Sequence, residues 1–177
     1  QKLLKEHPVF ENYEVVLAAG DGRGSDDDQI INQKSLGRVR EAIATHDKTI
    51  TLSVGQLTTG VTVPEWTAVL MLSNMKSPSL YMQAAFRAQN PCDYKVDGQM
   101  RQKENAYVFD FAPERTLTIY DEFANNLSSK TTNGGGTTDD RKANIRTLLN
   151  FFPVIAEDNN GKMVELDVNQ VLTIPKV

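Results

Sequence analysis

Apolar and polar positions follow two different periods along this chain. Residues 13–19 (YEVVLAA) are almost continuously apolar and partly β-branched, and they stop at Gly20-Asp21-Gly22. That pattern predicts a buried strand running into a turn. Similar runs at 49–54 (TITLSV), 67–72 (TAVLML) and 106–111 (AYVFDF) predict three further strands. Between them the spacing turns helical. Leu36, Val39, Ala42 and Ile43 share one face over residues 35–45. Residues 79–89 have Ser77-Pro78 ahead and Pro91 behind, 114–127 follow Pro113, and 139–150 set Ile145, Leu148 and Leu149 on one side. Residues 2–6 read as a helix end stopped near Pro8, and the acidic run 26–28 as a solvated loop. The tail carries short strand-like or helical pieces at 152–156 and 164–172.

Near-continuous apolar strands separated by helices predict an α/β fold with a mainly parallel sheet covered on both faces. Ligands of such folds sit at the carboxyl ends of the strands. The segments to watch are therefore 20–24, 55–62, 73–79 and the stretch at Pro113. The one low-complexity stretch, 128–138 (SSKTTNGGGTT), reads as a flexible Gly/Thr-rich loop. It divides a core at 1–127 from an extension at 139–177 expected to pack on the same domain.

Composition narrows the picture. The chain has 177 residues and a net charge of −4, with no basic block, so any nucleic-acid contact must be local. A single cysteine, Cys92, excludes an intrachain disulfide framework and a CxxC zinc site. No apolar run is long enough to span a membrane, and no leader pattern follows Gln1. A cytoplasmic protein is expected, and a piece of a longer one.

Candidate chemistry is sparse. There is no GxxxxGK[ST] and no GxGxxG; residues 20–24 (GDGRG) follow a strand but lack the dinucleotide spacing. His7, His46 and Cys92 are isolated, no metal-ligand set is visible, and no nuclease-type carboxylate set is identifiable around Asp110, Asp121 and Glu122. Two segments stand out. Residues 53–64 (SVGQLTTGVTVP) leave a strand through Gly55 and offer backbone amides and Thr hydroxyls suited to a phosphodiester oxygen. Residues 78–91 (PSLYMQAAFRAQNP) set Gln83 and Arg87 at i and i+4, with Leu80, Ala84 and Ala88 free to bury the other side. An arginine so presented suits an anionic ligand.

Taken in order, LTTGVTVP at 57–64, the strand at 67–72 and YMQAAFRAQNP at 81–91 resemble motifs V and VI of the second RecA-like domain of superfamily two helicases and translocases. The likeness is strongest to the motor subunits of type III and type I restriction enzymes, and it covers about half the chain. The resemblance implies a RecA-like three-layer fold and an ATP-dependent DNA motor. ATP and Mg2+ would be clamped against an upstream RecA-like domain, with DNA and methyltransferase or specificity subunits as partners. Arg87 and Gln83 would then serve catalysis, Gly60 and Thr62 would face the nucleotide, and Thr58, Thr59, Gly20 and Asp21 would touch the nucleic acid. The sequence departs from the motifs at two places. Thr62 stands where an Asp often contacts ribose, and Asn90 stands where a second arginine is usual. The other reading is a non-catalytic α/β binding or assembly module.

Overall fold

The computed structural model describes residues 1–18, 28–54, 57 and 61–173. In chain order the elements are α1 (Lys2–Lys5), β1 (Glu14–Ala18), α2 (Asp28–Thr45), β2 (Thr49–Ser53), β3 (Ala68–Met71) and α3 (Pro78–Ala85). After a 3-10 turn at Phe86–Gln89 come β4 (Asp93–Val96), β5 (Gln99–Gln102), β6 (Tyr107–Asp110) and α4 (Pro113–Asn126). A second 3-10 turn at Thr132–Gly134 leads to α5 (Thr138–Leu149), β7 (Ile155–Glu157), β8 (Met163–Glu165) and α6 (Val168–Leu172). The chain is mixed α/β. Among the described residues the strands form four two-stranded sheets rather than one: β1-β2, β3-β6, β4-β5 and β7-β8.

The chain divides into two compact units, Gln1–Val69 with Gln83–Val108, and Leu70–Met82 with Phe109–Val177. In the first, β1 and β2 run parallel, with Glu14 opposite Thr49 and Ala18 opposite Ser53. A parallel pair needs a crossover, and α2 supplies it. Val16 and Ala18 of β1 pack with Val39 and Ala42 of α2 and with Leu57, Val61 and Val63; Leu36, Ile43 and Trp66 close over this cluster. The helical face read from Leu36, Val39, Ala42 and Ile43 is thus the buried one. The helix itself begins earlier than those positions indicate, at Asp28.

The hairpin β4-β5 interrupts the predicted order. It pairs Asp93 with Gln102 and Val96 with Gln99, and both strands are exposed along their length. Asp97 and Gly98 both hold positive φ, 50° and 80°. Such a pair suits the primed turns that match the twist of an antiparallel ribbon.

The second unit is built on helices. Ile145, Leu148 and Leu149 of α5 are buried, as are Leu117, Ile119, Tyr120 and Ala124 of α4 and Val168 and Val171 of α6. Tyr120 stacks on Phe152 at 5.9 Å between ring centroids and donates its hydroxyl to the Phe152 carbonyl. Burial drives the Tyr120 phenol well above its ordinary pKa. Within the low-complexity stretch, Thr131 is 1% exposed and donates to the Asn125 carbonyl at 2.7 Å. Asn144 Nδ2 donates to the Thr131 hydroxyl at 2.8 Å. A small β-branched hydroxyl side chain can thus anchor a segment whose composition reads as loop.

Candidate loop and helix junction

Extended backbone at 61–63 turns alternate side chains in and out. Val61 and Val63 enter the core of the first unit, and Thr62 faces solvent between them. Leu57, four residues earlier, is buried at φ 58°. A left-handed conformation costs an L-residue roughly 1–2 kcal/mol, so the fold holds strain next to Thr58. Gly60, Thr58, Thr59, Gly20 and Asp21 lie outside the described residues.

The helix that follows starts with Ser77, whose carbonyl accepts from the Tyr81 amide at 2.9 Å. Its buried side is Tyr81, Met82, Ala84, Ala85 and Ala88. Leu80, expected on that side, is 51% exposed; α3 turns it outward and buries Tyr81 instead. Gln83 is exposed. Arg87 is half-buried on the 3-10 turn and donates through Nη1 to the Val61 carbonyl. The structure therefore brings the two singled-out segments together, with Arg87 as the link. Asn90 Nδ2 donates to the Arg87 carbonyl at 3.1 Å and so caps the turn. Arg101 lies on β5 opposite Tyr94 and is exposed.

Lys103 was not legible as part of this junction. Its Nζ donates to three backbone carbonyls: Pro64 at 2.7 Å, Ala88 at 2.8 Å and Trp66 at 2.9 Å. An ammonium has three donors, and all are used. Burial lowers the amine's pKa below the ordinary lysine value, against the opposing fields of Cys92 and Glu65. The Lys103 backbone N–H also donates to the Cys92 carbonyl at 2.8 Å, closing the stem of the hairpin.

A second polar cluster occupies the other unit. Asp110 ends β6, and its side chain is only 4% exposed. Asp110 Oδ1 accepts from Arg115 Nη2 at 2.5 Å and from the Ala112 amide at 2.9 Å. Burial pushes the Asp110 carboxyl pKa up. The Ala112 amide, Arg115, Thr116 and Tyr81 outweigh that and hold it below the ordinary aspartate value. Arg115 Nη1 also donates to the Ser73 carbonyl at 2.9 Å and reaches Asn74 Oδ1 at 3.2 Å, tying down the segment after β3. Burial of Tyr81, with Asp110 nearby, pushes its phenol up to about 12. Asp121 is paired with Arg141 at 3.0 Å. Glu122 is exposed. His7 accepts from the Val9 amide, and His46 meets the Thr45 hydroxyl at 2.9 Å. Among the described residues no group of three His, Cys, Asp or Glu side chains could hold a metal ion. Nor is any described helix long and apolar enough to cross a membrane.

Comparison with known proteins bears on the family. The chain is 32% identical over 124 residues to a Mycoplasma pneumoniae protein described as "Putative type II restriction enzyme and methyltransferase RM.MpnORF110P C-terminus". The match takes in 69% of this chain and 17% of the relative, so the chain spans a small part of that protein's length. No family model and no solved structure matches the chain. The expectation of a type III-like helicase motor is thereby corrected. The relative is named as a type II restriction enzyme and methyltransferase, and what the likeness supports is a restriction–modification relationship only. The physical reason for the misreading is local. A short motif carries no account of its partners, and here the arginine is bonded to the backbone of its own chain, at the Val61 carbonyl.

Proposed function

We propose that this chain is a non-catalytic module of a restriction–modification protein, one that grips the DNA backbone for chemistry carried out elsewhere in the parent. The observation that carries this reading is the bond from Arg87 to the Val61 carbonyl, in which the guanidinium holds the loop's own backbone. Strain at Leu57 supports it, because stored strain clusters where a segment is held for a ligand. The carboxylates point the same way: Asp110 and Asp121 are each spent on an arginine within the second unit. On this reading Thr58, Thr59, Thr62 and Gln83 offer hydroxyl and amide donors to phosphodiester oxygens. The parent's methyltransferase and cleavage functions, suggested by the relative's name, would be the module's working partners.

Anisotropy of a labelled duplex, titrated with the purified chain across a salt series, tests the proposal. Binding should be weak and indifferent to sequence. Its salt dependence should be shallow, since few cations displace counterions. Replacing Thr58 and Thr59 together by Ala should weaken it about tenfold, as expected for two lost hydrogen bonds. Equal affinity of that variant, or no binding at low salt, would overturn the reading. So would robust ATP turnover or duplex cleavage by the chain alone.

A further inference from the structure

Three carbonyl oxygens converge on one point in the first unit, from Pro64, Trp66 and Ala88, each within 2.7–2.9 Å of Lys103 Nζ. Backbone carbonyls gathered in this way are the ligands that replace water around a monovalent cation in selective pores. Here the cation is covalently tethered. The three carbonyls belong to two separate stretches, the end of the 61–66 segment and the end of the 3-10 turn that carries Arg87. The lysine itself follows β5, so a third segment, the hairpin stem, is joined at the same atom. Ala88 is fully buried, so a carbonyl left there without a donor would be costly.

We propose that Lys103 is an internal cation latch. Its ammonium fills a carbonyl cage able to accept a free monovalent cation. Its removal releases residues 64–66 and the end of the Arg87 turn while the first unit stays folded. The core of that unit explains why release is local: Val16, Ala18, Val39, Ala42, Leu57, Val61 and Val63 pack together without help from Lys103. The latch sets where Arg87 sits relative to Val61, which makes Lys103 a positioning residue. The inference does not depend on DNA binding, because its readout is internal.

Trp66 is the chain's single tryptophan, and its carbonyl is one wall of the cage. The test is the emission of Trp66 in the full chain, wild type and Lys103→Ala, in sodium, potassium, ammonium and tetramethylammonium chloride, with far-ultraviolet circular dichroism alongside. Wild type should give the same emission in all four salts. Lys103→Ala should keep its circular dichroism and show a red shift in sodium and tetramethylammonium. Ammonium or potassium, entering the vacated cage, should reverse that shift. Lys103→Arg, whose planar fork cannot aim three donors at one point, should resemble the alanine variant but resist rescue. Unchanged emission in Lys103→Ala would overturn the latch. A red shift that no cation reverses would overturn the cage. Loss of circular dichroism in every salt would overturn the claim that release is local.

Discussion

Arg87 illustrates how a residue can be found in the sequence while the partner it bonds cannot. Its type and spacing were readable from Gln83 and the flanking prolines. Its partner, a carbonyl on a loop 26 residues earlier, was not, because backbone acceptors leave no mark on a sequence. Arg87→Ala should therefore lower the stability of the first unit by about 1.5–3 kcal/mol, the range for a hydrogen bond to a charged group. Denaturant unfolding followed by Trp66 emission would register it. The same logic applies to Asp110. Asp110→Asn leaves the half-buried Arg115 without its counter-ion and should cost about 1–3 kcal/mol. The folded-state carboxyl titrates below the ordinary aspartate value, so its contribution is fully present above that value. It is lost as pH falls through the depressed one. An acid melting series should show Asp110→Asn losing this part of the wild type's pH dependence.

At the scale of elements, the strands were legible and the hairpin was not. The segments at 13–19, 49–54, 67–72 and 106–111 each contain an observed strand, because runs rich in β-branched and aromatic residues favour an extended, pleated backbone; the runs in β3 and β6 nonetheless stay largely exposed. β4 and β5 bury nothing, so hydrophobic patterning had no purchase on them; their one signal was the Asp97-Gly98 turn pair. Gly98→Val should loosen the hairpin specifically, since a β-branched side chain resists a φ of 80°. Faster amide exchange at 93–102 with an unchanged core would show this. Helix α5 begins with a reciprocal cap: Thr137 accepts from the Asp140 amide, and Asp140 Oδ2 accepts from the Thr137 backbone. The Thr137 amide and hydroxyl hold the Asp140 pKa below its ordinary value. The cap therefore supports α5 above the ordinary aspartate range and fades as pH drops through the depressed value. Asp140→Asn should blunt that acid-induced loss of helicity, read by circular dichroism.

Across the whole molecule, the α/β class followed from the alternation of strand and helix patterns, but one continuous parallel sheet did not. Alternation fixes which segments are strands, whereas pairing depends on contacts between residues far apart in sequence. The two units differ most in this respect. Strands β1 and β2 are neighbours only after α2 has been laid between them, so their register closes a long loop before any ladder bond is gained. Helices α4 and α5, by contrast, are joined through a short segment pinned at Thr131. The consequence is temporal. The α4–α5 pair has the faster route to its native contacts, and the β1–β2 pair must wait for its crossover. Pulsed hydrogen exchange during refolding should find the amides of Ile145 and Leu148 protected before those of Val15 and Val16. The opposite order would mean that α2 forms early enough to act as a template for the strands beside it.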